Sequence, residues 1–334
     1  MDELEFEIER IAAASDFSGA VRVDRDGRVP LARAFGLAHR ALEVPNTVDT
    51  RFGIASGLKG FTALVVMSLV EDGSLTLDTP ARSLLRDDLP LIADDVTVDH
   101  LLAHRSGIGD YFDEHGDLDI TDHVLPVPVH ELETTEDFVR VLGGHPTVFP
   151  AGERFAYCNG GYVALALLAE RAAATSFHDL VAQRVCGPAG LTRTDFPRSD
   201  ELPGDAAVGY LHLHGGRTNV FHLPVRGTGD GGVYSTVADL HAFWQALFAG
   251  RLVPIERVEQ MIAPRSTVPE NDARYGLGFW LHASGPSVAL EGYDAGVSFR
   301  SVHDPRTGTT HTVIANSSEG AWPLARHLAR ELTG

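Results

Sequence analysis

The sequence predicts an α+β protein in which the two ends of the chain share one antiparallel sheet flanked by helices, with a mostly helical lobe between them. Three observations predict it. From Ser18 the run SGAVRVDRDGRVPLARAFGLA alternates apolar and polar residues and turns at Asp26-Gly27, the pattern of a hairpin. From about 60 to 200 the apolar residues recur at helical spacing between Gly and Pro connections. The end returns to strand-like runs, roughly Leu277–Ala283, Ser287–Leu290, Val297–His303 and Thr310–Asn316. An opening helix over Glu3–Ala14 and a closing helix over Ala321–Leu332 complete the order. The expected organisation is a single domain over 1–334. Its α/β subdomain takes about 1–59 and 205–334, and its helical subdomain about 60–204.

Composition narrows the function classes. Of 334 residues, 27 are basic and 46 acidic, a net charge of −19, whereas nucleic acid or an anionic membrane surface calls for a basic face. The longest apolar runs, ALVVMSLV and YVALALLAE, have the length of core helices and fall well short of a membrane span. The acidic start MDELEFEIER lacks the apolar run of a secretory signal, so a cytoplasmic protein is expected, with Cys158 and Cys186 as free thiols.

The basic residues carry a sharper signal: 26 are Arg and one is Lys, Lys59. Arginine keeps its proton in proteins, while lysine gives it up where its site depresses its pKa. A lone lysine in an arginine-biased chain is therefore a candidate proton-transferring amine, against the plainer reading that one lysine survived by accident. Ser56 lies three residues earlier, in RFGIASGLKGFTALVVMSLVEDG. Leu58, Phe61, Leu64, Val65 and Leu69 follow at helical spacing, which predicts a buried amphipathic helix ending near Asp72-Gly73. Ser56 then sits in the first turn, on the same face as Lys59. A serine nucleophile needs a base within hydrogen-bond reach, and a helix start adds N–H groups that favour an oxyanion. The plainer reading makes Ser56 an N-cap. A lysine meets a serine at this spacing by chance roughly one time in twenty.

A hundred residues on, Tyr157-Cys158-Asn159 follows a Pro-Gly turn and precedes another apolar helix. Tyrosine shuttles protons where its pKa is lowered, and an asparagine two residues later can orient a lysine or a substrate carbonyl.

Ser56-x-x-Lys59 with Tyr157-x-Asn159 resembles the first two motifs of the serine β-lactamase-related hydrolases, which include class C β-lactamases, DD-peptidases and family VIII esterases. Four further blocks resemble that family in the expected order: LLAHRSGIGDY from Leu101, VCGPAGLTRTDF from Val185, GDGGVYSTVADLHAFWQAL from Gly229 and YGLGFW from Tyr275. The resemblance covers nearly the whole chain. It implies a β-lactamase/transpeptidase-like fold with the cleft between sheet and helical lobe and Ser56 at their junction. At the third motif the chain departs from the pattern. Where relatives place Lys-Thr-Gly or His-x-Gly, the run LEGYDAGVSFRSVHDP from Leu290 puts Glu291-Gly292-Tyr293. An acidic residue there removes the charge that would hold a substrate carboxylate and disfavours β-lactams and D-Ala-D-Ala peptides. The strand still offers a backbone oxyanion donor near Tyr293 or Asp294. Glu291 either faces a cationic substrate group or pairs with an arginine.

Other features read as structural. The sixteen histidines include His212-Leu213-His214 and His100-x-x-x-His104, but without HExxH or paired cysteines both sets read as surface strand and helix residues, and no metal or other cofactor is expected. Gly-x-Ser-x-Gly is absent. Cys158 reads as a small buried filler, and the acidic stretch DEHGDLDITDH from Asp113 as a solvated loop.

The reading is a carboxylesterase-like serine hydrolase acting on a small-molecule ester or amide. Ser56 is the nucleophile and Lys59 and Tyr157 are the coupled proton carriers. Asn159, Glu291, Gly292, Tyr293 and Asp294 bind substrate. A β-lactamase or D-amino-acid/DD-peptidase, an acyltransferase, and an inactive binding protein are the alternatives. The sequence leaves the oligomeric state open.

Overall fold

The computed structural model describes residues 3–25, 27–112, 119–268 and 272–332. Asp26 of the expected hairpin turn, and residues 113–118 of the acidic stretch, lie outside the described residues. Helix α1 (Glu3–Ala14) leads into strands β1 (Gly19–Arg25) and β2 (Arg28–Phe35). The central helices are α2 (Lys59–Glu71), α3 (Val98–Leu102), α4 (Asn159–Ala173) and α5 (Val237–Phe248). The chain then lays down β3 (Ser266–Val268), β4 (Ala273–Tyr275), β5 (Trp280–His282), β6 (Val288–Asp294), β7 (Val297–Asp304) and β8 (Thr309–Ala315), and closes with α6 (Trp322–Leu332).

The eight strands form one sheet in the order β2-β1-β8-β7-β6-β5-β4-β3, so the N-terminal hairpin completes a sheet built mostly by the C-terminal third. Gly19 pairs with Ala315 and Val21 with Val313, joining the two ends of the chain. One face is covered by α1 and α6, through Ile8, Phe17, Val21, Val313, Leu324 and Leu328. The other carries the main core, where α2 and α5 bury Phe61, Phe243 and Trp244 against Phe279 and Phe299. With both faces covered, β7 is buried along nearly its whole length, its polar residues Ser298, Ser301, His303 and Asp304 included.

Two elements differ from expectation. The run Leu277–Ala283 is not one strand: Tyr275 pairs with Trp280 across a tight turn in which Gly278 has φ +88°, so the glycines of YGLGFW break the strand. Helix α2 is not amphipathic. Every residue from Lys59 to Leu69 is buried, so the helix runs through the interior with neighbours on all sides. Among the described residues no helix is long and apolar enough to cross a membrane.

Three histidines are buried where α5 packs on the sheet: His241 on α5, His303 on β7 and His311 on β8. His241 Nδ1 lies 2.8 Å from Asp24 Oδ2, beside Arg22, which bonds the same carboxylate. His303 Nδ1 meets Thr310 Oγ1 at 2.8 Å, and neither ring nitrogen of His311 has a hydrogen-bond partner among the described residues. Burial lowers all three, His303 to about 4 and His311 to about 3, with Arg300 and His241 pushing His311 the same way. Groups that fold neutral and protonate when unfolded stabilise the protein above about pH 6.5 and withdraw that stability as pH falls toward their folded values. Denaturant unfolding is therefore expected to lose several kcal/mol between pH 6.5 and pH 4. His311→Leu should flatten that slope; an unchanged slope would remove His311 from the account.

Candidate active site

Ser56 lies in a 3₁₀ turn, Ala55–Leu58, that runs straight into α2 at Lys59. Ala55 has φ +44°, a conformation costly for a residue with a Cβ, and it turns the chain sharply from Ile54 into the helix. The turn has no side-chain cap, so Ser56 is not spent as one. Gly57 lets it lie flat on the sheet: a Cβ there would stand 2.4 Å from the ring of Phe299. Ser56 is thereby set, half-buried, against the sheet beside β6.

Lys59 is 2% exposed, and its Nζ donates to three oxygens: Ser56 Oγ at 2.8 Å, Asn159 Oδ1 at 2.8 Å and the Asp230 carbonyl at 2.9 Å. The ring centroid of Tyr157 is 4.9 Å from the same nitrogen. The four residues of the two short motifs are thus brought together around one amine, although a hundred positions separate them in the chain. Asn159 is the first residue of α4. Cys158 caps that helix, its buried Sγ accepting from the Gly161 N–H at 3.3 Å, so it does more than fill space.

The β6 residues stand on the opposite wall. Gly292 passes so close to Ser56 that a Cβ on it would fall 2.1 Å from the Ile54 carbonyl oxygen and 3.0 Å from the Ser56 nitrogen. Tyr293 and Asp294 follow at the tip of the β6–β7 hairpin. Glu291 is directly opposite Arg300 on β7, and their charged atoms are 2.8 Å apart. The glutamate is therefore half of an ion pair at the cleft edge, so it neither carries a bare negative charge nor supplies a cation.

Two hollows meet at Ser56. The larger, about 940 Å³, is walled by Val148, Phe149, Phe155, Tyr157 and Trp280 and edged by Glu291. The smaller, about 80 Å³, is lined by Tyr111, Asn159, Asp230, Tyr293 and Asp294 among others. In it the Tyr111 hydroxyl donates to Asp230 Oδ2 at 2.5 Å, and burial together with that carboxylate holds the phenol proton in place.

Three residues here were given no role in the site by the sequence reading. Asp230 presents its carbonyl to Lys59. Asp110 accepts the N–H groups of Asn159 at 2.6 Å and Gly160 at 2.8 Å, which anchors the start of α4; burial raises its carboxyl to about 6 despite those bonds. His104 was expected on the surface and is instead 1% exposed beneath Tyr157. All three lie inside blocks that carry the family resemblance, so the signal was present, but none has a spacing that declares a role. His212 and His214 are exposed in a bend, not a strand, and His100 is half-buried in α3. Among the described residues no three or more His, Cys, Asp or Glu side chains group as a metal site.

A model of the Beta-lactamase family matches residues 8–333. The chain belongs to the beta-lactamase family. Among solved structures, this beta-lactamase family protein is similar to a penicillin-binding protein from Bacillus halodurans, 35% identical with a TM-score of 0.91, over 97% of this chain and 100% of that one. It is also similar to the D-amino acid amidase of Ochrobactrum anthropi SV3, 25% identical with a TM-score of 0.81, over the full length of both. A D-aminopeptidase from Brucella anthropi is 30% identical over 274 residues, 80% of this chain and 49% of the relative. The chain spans 49–62% of the length of the first curated relatives it matches. Family and fold rest on a match across nearly the whole chain.

Proposed function

We propose that this protein hydrolyses an ester or amide bond of a small molecule through an acyl-enzyme on Ser56. The observation that carries the reading is the position of Lys59 Nζ, 2.8 Å from Ser56 Oγ and held by two fixed acceptors, Asn159 Oδ1 and the Asp230 carbonyl. Those acceptors claim two N–H bonds. The remaining position faces the serine, so a neutral amine turns its lone pair to the hydroxyl and takes its proton as the oxygen attacks. The Ser56 N–H and an N–H of β6 at Tyr293 or Asp294 receive the oxyanion. Tyr157 returns a proton to the leaving group and draws one from the water that releases the acyl group. Lys59 and Tyr157 titrate as one system, so the base is a property of the pair.

The cleft also supports a choice of substrate. The Glu291–Arg300 pair presents no free cation at the position where a substrate carboxylate would dock, and Asp230 and Asp294 line the smaller hollow. Neutral esters therefore suit the site better than β-lactams. The same carboxylates favour a substrate ammonium group, and the names of the D-aminopeptidase and D-amino acid amidase relatives support that second reading.

One substrate panel tests both. Nitrophenyl esters of increasing chain length should be turned over, and Ser56→Ala should lower kcat/KM by at least about 10³. A chromogenic cephalosporin should run about 100-fold or more below the best ester. A D-amino acid nitroanilide that outruns every ester would move the assignment to amine-bearing amides. Turnover that survives Ser56→Ala would remove the nucleophile.

A further inference from the structure

His104 stands one layer behind the reacting groups, and the mechanism above does not use it. It follows Ala103, the C-terminal cap of α3, and its φ of +53° folds the chain back under the site. From there it grips the residues on both sides of Tyr157. Its carbonyl oxygen accepts the Ala156 N–H at 2.9 Å, and its Nδ1 accepts the Cys158 N–H at 3.1 Å. Its ring packs on the Tyr157 ring with centroids 4.3 Å apart, while Trp280 stacks on the same phenol at 6.0 Å and 15°. One residue thus holds the backbone before and after Tyr157 and supports its ring.

The chemistry of that grip requires a neutral imidazole. An Nδ1 that accepts a hydrogen bond carries no proton, so the hydrogen sits on Nε2, which has no hydrogen-bond partner among the described residues and is bordered by the rings of Tyr162 and Tyr275. A protonated ring would turn an N–H against the Cys158 N–H and break the bond. Burial first, and the nearby charge of Lys59 second, hold His104 well below the usual imidazole range.

We infer that His104 is a positioning residue for catalysis: as a neutral acceptor it fixes the Ala156–Cys158 segment so that Tyr157 is presented to Lys59 and Ser56. The inference rests on the reading of Tyr157 as a proton carrier, and the test separates the two. His104→Gly keeps the positive φ free of strain but removes the acceptor and the ring. His104→Asn tolerates the same φ and sets a carbonyl oxygen where Nδ1 stood. With a nitrophenyl ester, the glycine variant should lose about 10- to 100-fold in kcat with KM within about twofold, and the asparagine variant should recover most of the loss. In a Tyr157→Phe background, His104→Gly should cost little more, because what it positions is already gone. If the glycine variant does not fold, His104→Gln replaces it, since its longer side chain carries the oxygen past the Nδ1 position.

Wild-type kcat in a folded His104→Gly or His104→Gln variant overturns the inference while leaving Tyr157 in place. An asparagine variant no better than glycine, or full additivity with Tyr157→Phe, overturns it as well. A Tyr157→Phe enzyme with undiminished turnover overturns the role of Tyr157 and this inference with it.

Discussion

Lys59→Arg is expected to abolish acylation, with kcat/KM on nitrophenyl esters falling on the order of 10⁴-fold while the protein remains folded. The argument is about protons before it is about shape. The three contacts of Nζ use every hydrogen an ammonium has, and two of the three acceptors, Asn159 Oδ1 and the Asp230 carbonyl, cannot donate in return. Only at Ser56 can the hydrogen bond reverse, and it reverses only if the amine loses a proton. A guanidinium does not lose one in a protein, so arginine would keep the charge and lose the base. Its larger planar head must also fit where a 2%-exposed ammonium sits among Tyr157, Tyr162 and α4, so Lys59→Met is the companion variant that keeps the volume. Both should show no burst of nitrophenol in rapid-mix experiments, and circular dichroism should report native helix content. A burst of full amplitude in Lys59→Arg would assign the proton to another group.

Gly292→Ala is the second large effect, expected to lower kcat/KM by on the order of 10²-fold and to lower the thermal midpoint as well. The added methyl would stand 2.1 Å from the Ile54 carbonyl oxygen, and both of its nearest neighbours belong to the backbone that carries Ser56. Backbone cannot rotate aside as a side chain does, so β6 must draw back from the nucleophile. The N–H groups of Tyr293 and Asp294 withdraw with it, and an oxyanion donor displaced by even 1 Å gives up most of its advantage in the transition state. Activity within a few-fold of wild type would mean that β6 contributes no oxyanion donor.

These two variants mark the boundary between what was legible in the chain and what was not. Lys59 stood out because it is the one lysine among 27 basic residues, and Ser56 because it lies one helical step away. Such relations are local, so spacing alone reveals them. The same holds for the closing helix, where helical periodicity reports one buried face through Leu324, Ala325 and Leu328. Periodicity failed for α2 because a helix buried on every side has no polar stripe to mark its faces. It failed again at YGLGFW, where two glycines carried a turn inside an apolar run.

The sequence by itself determined the family resemblance, the fold class and which residues are proposed to react. Tertiary structure alone decided which atoms meet: that Asp230 turns its carbonyl to Lys59, that Asp110 anchors Asn159, that His104 lies beneath Tyr157 and that Arg300 neutralises Glu291. Each of these joins residues that are distant in the chain or sit on neighbouring strands, through one hydrogen bond, ring contact or ion pair. A contact of that kind leaves no period in the sequence, because a single residue satisfies it and its geometry exists only once the sheet and helices have packed.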